Sequence, residues 1–488
     1  MKKTLALSLF VLTTALSMGC DEQNYGKDPE SLARIVLFEI EGDSPTTSPD
    51  ISFSIETEGE VTGYLIHEKK PEDDNQSIMP LRDDPRWQTE KPSHYILQDK
   101  ERYGSRVLYL FIKDKNSVLA ERKSITVNYQ NANPAFSYIK TNFAGGFVID
   151  PTIAVYSKTM YVACGVYISE KYSSSRTKYS PLVLKSEDSG ETWETIYTSS
   201  DKAMFTSITT DDSGNVYLAM RSAAVGGKLV VLKYSGSGSS WSYLGSAEGI
   251  SSDTANYVSI KIHNGKIYAA CKDYGLGGAV VYMCSLKTGV WEALGNSVAS
   301  EGDASDIDLL VSESGTVYIS YCDESFSRKT SIRYYDSVSG WKYLGSRGIS
   351  SDIGTYPKLA ETDEGIAVLY RDGTINSKPA VKLFKNGNWK DLGSLPCYGN
   401  MSSTNGELVF CQGSLFAFFK EEVGGGSLRC SCMKYFSGKW NYIGGQGFSS
   451  YSVDYLNAIS NENCIYLVFK DWGGSENYTY GLSLVKFY

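Results

Sequence analysis

Six tryptophans, Trp193, Trp241, Trp291, Trp341, Trp389 and Trp440, stand at intervals of 48, 50, 50, 48 and 51 residues. Five open nearly the same pentapeptide: WSYLG, WEALG, WKYLG, WKDLG and WNYIG. The stretch from Tyr257 to Gly295 shows what lies between them: three runs rich in Val, Ile and Tyr, separated by Gly/Asn turns, with a fourth opening at Trp291. Such runs, about 5–8 residues long, read as strands. The turns after His263 and at 275–278 carry the residues that hairpins need for positive φ. A four-stranded antiparallel unit that recurs every 40–50 residues or so with a Trp signature is a β-propeller blade. One blade cannot bury both faces, so blades must bury each other around an axis. The tryptophans share one place in the repeat and read as packing residues between blades.

The blades occupy residues 135–488. The first spans 147–198 with Trp193 on its outer strand, and five more end at the other tryptophans. A seventh contains LNAISN from Leu456, CIYLVFKD from Cys464 and GLSLVKFY from Gly481, with no fourth strand after it. FSYIKTNFAG from Phe136 has the character of that strand, with Phe136 where Trp stands elsewhere. The expectation is an all-β chain ending in a seven-bladed propeller closed by its N-terminal strand, which leaves no open sheet edge.

Residues 1–19 have the form of an export signal: Lys2 and Lys3, then an apolar core from Leu5 to Leu16 too short to span a bilayer. Ser17-Met18-Gly19-Cys20 resembles a bacterial lipobox, which implies lipidation at Cys20 and a membrane partner. Asp21 and Glu22 resemble the acidic signal that sends Bacteroidetes lipoproteins to the outer face of the outer membrane. Residues 20–31 read as a tether. Residues 32–130 hold several short strand candidates and are expected to form a separate β-sandwich. Trp87, Pro92, Tyr95, Tyr109, Lys113 and Asp114 give this region a resemblance to a bacterial Ig-like domain, in which they would be core and turn residues of a spacer. Residues 130–134 read as the linker.

The formal charge of −9 argues against a nucleic-acid partner, which needs a basic face. The three histidines, His67, His94 and His263, are too few to favour a His-based metal or triad site, and no cofactor motif is present. Of ten cysteines, Cys271 and Cys284 are the best disulfide candidates. The favoured reading for those beyond Cys20 is buried thiols acting as small apolar residues.

Ser186-Glu187-Asp188-Ser189-Gly190-Glu191-Thr192-Trp193 is a full S-x-D-x-G-x-T-W Asp box and resembles the sialidase-like (Asp-box, BNR) propellers. In that family Ser186, Asp188, Gly190 and Trp193 would build a turn away from the active face. The resemblance implies three arginines on a substrate carboxylate, the first in an R-I-P motif on the first inner strand. Here that stretch is Val148-Ile149-Asp150-Pro151, with Ile149 where the arginine would stand. An aliphatic side chain cannot pair with a carboxylate, so exo-sialidase chemistry is not expected.

The same face gathers charged and aromatic residues at repeat-equivalent places. At the ends of the second strands stand Arg221, Lys272-Asp273, Asp323, Arg371-Asp372, Lys420-Glu421 and Lys470-Asp471. Trp472 follows the last pair. Tyr257, Tyr356 and Tyr455 follow the blade-to-blade loops, with Tyr398 nearby and a long loop from Val166 to Tyr179 in the first blade. For any single residue the plain alternative is a salt bridge, a turn cap or packing. As a set they suit a sugar ring. Three functions stay open: a surface lipoprotein that binds a glycan or glycoprotein without catalysis; a glycoside hydrolase or polysaccharide lyase using Asp273, Asp323, Asp372 or Asp471; and a scaffold joining other surface proteins.

Overall fold

The computed structural model describes residues 33–41, 46–69, 79–98, 104–115, 119–129, 136–144, 146–167, 179–235, 240–375, 377–395, 406–423, 427–473 and 481–488. Cys20, the tether, the linker, Tyr398 and most of the Val166–Tyr179 loop lie outside these residues. Among the described residues the chain is all-β. Helix is confined to the single 3₁₀ turns Ala223–Val225, Leu294–Asn296 and Gly373–Ile375. Among the described residues no helix is long and apolar enough to cross a membrane. The chain divides into two compact units with the boundary at Tyr129 and Gln130.

The first unit has two three-stranded sheets. One orders Arg34–Glu41, Asp50–Glu58 and His94–Ile96; the other orders Val61–Glu68, Gly104–Asp114 and Leu119–Tyr129. Alternation decides which face is buried: Ile51, Phe53 and Ile55 point inward while Ser52 and Glu56 are exposed. Phe38 packs against Phe53 with the rings tilted and their centres 5.3 Å apart, and Arg106 forms a buried ion pair with Glu68. The residues behind the Ig-like resemblance divide. Asp114 is buried, whereas Trp87, Pro92, Tyr95, Tyr109 and Lys113 are half-buried and do not form the core. Trp87 lies beneath the Lys113 ammonium, 4.3 Å away, and donates its indole N–H to the Leu81 carbonyl at 2.9 Å. It therefore sits at the surface as a cation-covered ring.

The second unit has seven four-stranded antiparallel sheets. Their first strands are Phe147–Tyr156, Ala203–Thr210, Ala255–His263, Ala304–Val311, Gly354–Thr362, Glu407–Cys411 and Val453–Asn461. Each first strand lies against the next, and the seventh lies against the first, so the sheets close on themselves. The outer strand of the seventh sheet is Phe136–Phe143, paired with Gly481–Phe487.

Two contacts repeat around the sheets. In the first, the indole N–H of five of the six tryptophans donates to a carbonyl of the preceding sheet's outer edge. Trp241 reaches Ile196 at 2.8 Å, Trp291 reaches Leu244 at 2.7 Å and Trp389 reaches Leu344 at 2.9 Å. Trp341 and Trp440 reach Leu294 and Leu392. The glycine closing the W-x-x-L-G pentapeptide leaves room for the ring. Gly245 has φ +89°, and a Cβ on it would lie 2.6 Å from Trp291 Cδ1. In the second contact, a buried serine after four of the outer strands accepts from the third strand of its own sheet and donates into its own loop. Ser251 accepts from Leu229 N–H at 2.9 Å and donates to Asp253 O at 2.6 Å. Ser300, Ser350 and Ser449 repeat this.

The Asp box is a hydrogen-bonded turn. Ser186 accepts from Gly190 N–H at 2.8 Å, Asp188 accepts from Thr192 N–H at 2.9 Å, and Trp193 donates to Gly190 O at 2.9 Å. The Thr192 hydroxyl and N–H, with Ser186, hold the Asp188 carboxyl down at about 2. All eight described cysteines are free thiols, most of them buried. Cys271 and Cys284 do not face each other, because Cys271 stands opposite Val280 and Cys284 opposite Ile267. The disulfide candidate is thus corrected.

Gly245→Ala must strain the left-handed backbone and displace Trp291. Equilibrium urea unfolding should show a loss of about 2–3 kcal/mol. Deleting residues 136–140 should expose the edge of Gly481–Phe487 and broaden the thermal transition in calorimetry. A truncated chain that melts as sharply as the parent would contradict this closure.

Candidate functional site

The inner strands share an irregularity that the sequence does not announce. In six of them the pairing with the second strand slips: between Ile149 and Thr152, Met204 and Ser207, Asn256 and Ser259, Ser305 and Asp308, Thr355 and Lys358, and Asp454 and Asn457. In each slip one non-glycine residue has left-handed backbone: Asp150 (φ 48°), Phe205 (53°), Tyr257 (56°), Asp306 (51°), Tyr356 (53°) and Tyr455 (50°). The equivalent residue of the sixth sheet lies outside the described residues. Each such conformation costs about 1–2 kcal/mol. Bulges of this kind re-aim a side chain, and strained backbone collects where a protein presents groups.

These six residues are half-exposed, and neighbours among them meet at three points around the ring. Asp150 accepts from Phe205 N–H at 2.9 Å, and the Phe205 and Tyr257 rings lie 5.5 Å apart. Asp306 accepts from Tyr356 N–H at 3.3 Å. Phe205 and Tyr455 both pack on the apolar group of Phe147, Ile149, Tyr179 and Met204. They form one mouth.

Two residues further along, every inner strand carries a polar side chain: Thr152, Ser207, Ser259, Asp308, Lys358, Glu407 and Asn457. Several of these close onto the next sheet's backbone. Asn457 accepts from Ile153 N–H at 3.0 Å, Ser207 from Ile260 N–H at 3.2 Å, and Asp308 from Leu359 N–H at 2.9 Å. Lys358 bridges Glu407 at 2.9 Å and Asp308 at 3.7 Å. This polar floor holds the mouth residues in register.

Burial pushes the Asp306 carboxyl up to about 6; the nearby Glu324 carboxylate acts the same way, and Arg328 and Arg371 oppose it. Burial likewise pushes the Tyr257 phenol up to about 12.

The candidates named from sequence fall into three groups. Tyr257, Tyr356 and Tyr455 stand in the mouth. Arg371 lines a small pocket with Tyr356, Ser377, Gly406 and Phe419, and Arg221 donates to Asn256 at 2.8 Å. The remaining charged residues are engaged within the fold. Asp273 is fully buried and accepts from Ser252, Gly275 and Tyr282, the last at 2.5 Å. Asp323 is paired with Arg347 at 2.9 Å, Asp372 accepts from Thr374, and Asp471 accepts from Ser483 and Gly473. Glu421 takes the same place in the sixth sheet, accepting from Tyr442 at 3.0 Å. Asp273, Asp323, Asp471 and Glu421 staple the end of strand two to strand three, and Asp372 closes its own turn. Asp273, Asp323, Asp372 and Asp471 are therefore corrected as acid candidates.

Lys272 is paired with Asp303 at 2.5 Å and Lys420 with Asp454. Lys470 is buried beside Trp472, 4.5 Å from its ring, and burial lowers its pKa. Trp472 donates to Asp454 at 2.9 Å, so these four residues form one cluster at the seventh sheet.

Asp150, Phe205, Asp306 and Asp454 were not singled out as site residues by pattern. Counting back from each tryptophan to a column that breaks the apolar inner strand would have found them. Ile149 is 3% exposed within the apolar group.

No protein-family model matches the chain, and no curated protein matches it. Among solved structures, Trypanosoma rangeli sialidase in complex with the inhibitor DANA is similar at 13% identity and TM-score 0.44, over 72% of this chain and 60% of that one. The phage phi92 endosialidase matches at 11% identity and TM-score 0.45, over 75% and 70%. A protein of unknown function from Dyadobacter fermentans matches at 12% and 0.43, over 72% and 98%. The chain thus spans 60% of the length of the trypanosomal enzyme. The structural neighbours are sialidase-like β-propeller proteins, and at these values the likeness is one of fold and says nothing about activity.

An Asp306 pKa above the unfolded value means the folded state binds the proton more tightly. Stability contributed by the protonated carboxyl is complete below about 4 and lost as pH rises through about 6. Asp306→Asn keeps an acceptor for Tyr356 N–H and removes the ionisation. It should flatten stability between pH 4 and 6 and raise it at pH 7 by about 1–2 kcal/mol, read by urea unfolding across pH.

Proposed function

We propose that this chain is a lipid-anchored, outer-membrane surface protein whose seven-bladed β-propeller, carried on an Ig-like sandwich, binds a glycan or glycoprotein without catalysis. The carrying observation is the mouth: four aromatic residues and two carboxylates held in left-handed backbone and half-exposed. Aromatic faces take the apolar faces of sugar rings, and fixed carboxylates accept from hydroxyls. Lys2, Lys3, the Leu5–Leu16 core and the Cys20 lipobox followed by Asp21 and Glu22 support the surface placement. Ile149, packed among Phe147 and Met204, leaves no arginine at the family's first carboxylate-binding position.

One observation favours a hydrolase as the second reading. Asp306, with its pKa raised to about 6 and Glu324 close by, has the character of a general acid. A scaffold that joins surface proteins is the third, and silence with every glycan would favour it.

The purified full chain is incubated with a panel of host and plant glycans, following retention together with release of reducing ends or unsaturated sugars. Retention without product is expected. With a retained glycan, the double variant Tyr257→Ala/Tyr356→Ala should lose at least about tenfold in affinity, or about 1.4 kcal/mol, while staying folded. Unchanged affinity would remove the mouth as the site. Product formation abolished by Asp306→Asn would establish the hydrolase instead.

A further inference from the structure

We infer that the face beside the mouth carries a stacking track for further sugar units, with Tyr274 and Phe326 as successive platforms, so that the ligand is a linear neutral oligosaccharide rather than a single terminal sugar. This rests on the mouth as the binding site and adds the length and charge of what binds there.

Tyr274 and Phe326 occupy equivalent turns, after the second strands of the third and fourth sheets. Both are unusually exposed for aromatic residues, at 49% and 39%. Each ring has a cation against it. The Lys272 ammonium lies 4.6 Å from the Tyr274 ring, and the Arg347 guanidinium lies 4.8 Å from the Phe326 ring. Both rings are further fixed: the Tyr274 hydroxyl accepts from Asn256 Nδ2 at 3.1 Å, and Phe326 rests on Gly348, where a Cβ would lie 2.7 Å from Cε1. A ring braced on one face and half exposed is pre-oriented. It presents its free face without the entropy cost of ordering a mobile side chain.

The two platforms are joined by short contacts. Lys272 pairs with Asp303, and Asp303 N–H donates to Ser325 Oγ at 2.9 Å, next to Phe326. On the other side, Asn256 connects Tyr274 to Arg221 and directly precedes Tyr257 of the mouth. The order along the surface is therefore Tyr257, Tyr274, Phe326. The bracing cations are neutralised: Lys272 by Asp303, and Arg347 by Asp323 and Glu301. The track offers aromatic faces without free positive charge, which suits neutral sugars over sulfated or uronic ones.

The test uses the full chain and size ladders of cello-, xylo-, malto- and manno-oligosaccharides from two to six units, by titration calorimetry. For a ladder that binds, affinity should rise at least tenfold from two to five units. Tyr274→Ala/Phe326→Ala should flatten that rise and leave the shortest member's affinity unchanged. Length-independent affinity in the parent, or an intact rise in the variant, overturns the track and leaves the mouth reading standing. Neutral ladders that fail while a charged glycan from the panel is retained also overturn the track alone. A length dependence that survives Tyr257→Ala/Tyr356→Ala overturns the mouth and keeps the track. Silence from both panel and ladders overturns both.

Discussion

The contact on which the ring depends is one indole N–H placed on one carbonyl. At five joints a sheet presents a carbonyl of its outer edge and the next sheet's tryptophan takes it; at Trp291 and Trp389 the ring also fills the space above a left-handed glycine, Gly245 or Gly345. Hydrogen bond and packing are made by the same side chain, so neither survives without the other. A net hydrogen bond of about 1 kcal/mol and the burial of a large ring act together at each of five interfaces. The buried serines add a second fastening further along the same edge, between a third strand and the loop that follows. With the outer rim fixed this way, the inner strands are held close enough to share hydrogen bonds.

That closeness makes the strained mouth tolerable. A left-handed tyrosine or aspartate in an isolated hairpin would relax by shifting register. Here the polar side chain two residues on is bonded to the neighbouring sheet, as Asn457 is to Ile153 and Asp308 to Leu359. The slip cannot relax without breaking those bonds. Rim, floor and mouth are thus one hierarchy, in which outer packing sets the spacing, inner polar bonds set the register, and the register aims Tyr257, Asp306 and Tyr356.

The outer rim was legible in the sequence and the mouth only in part. The tryptophans could be read because one bulky residue recurs in the same pentapeptide, and their packing role follows from equivalence alone. Tyr257, Tyr356 and Tyr455 could be read because they follow similar loops. Their left-handed backbone could not, because β-bulges leave no mark when tyrosine or aspartate takes the place where glycine would be favoured. The acids at the ends of the second strands show the opposite error. Asp273 and Asp471 look like funnel residues by position, yet side chains alternate along a strand. Theirs fall on the side that meets the next strand's serine or tyrosine. The half-buried Trp87 is a similar case, since a cation above the ring replaces the core that its type leads one to expect.

The ring of fastenings is incomplete at two neighbouring joints. Phe136 stands in the tryptophan position of the seventh sheet with no N–H to give, and packs on Phe448 and Phe487 instead. Trp193 turns its N–H inward to Gly190 of its own Asp box and meets the seventh sheet through ring stacking on Phe143 at 4.8 Å. Both joints flank the sheet assembled from the two ends of the unit. The closed circle therefore has a clasp: a wedge between sheets six and one, gripped by greasy surfaces that slide more readily than hydrogen bonds break. A unit pulled by its two ends would open and shut there, with the other six sheets behaving as one preassembled arc.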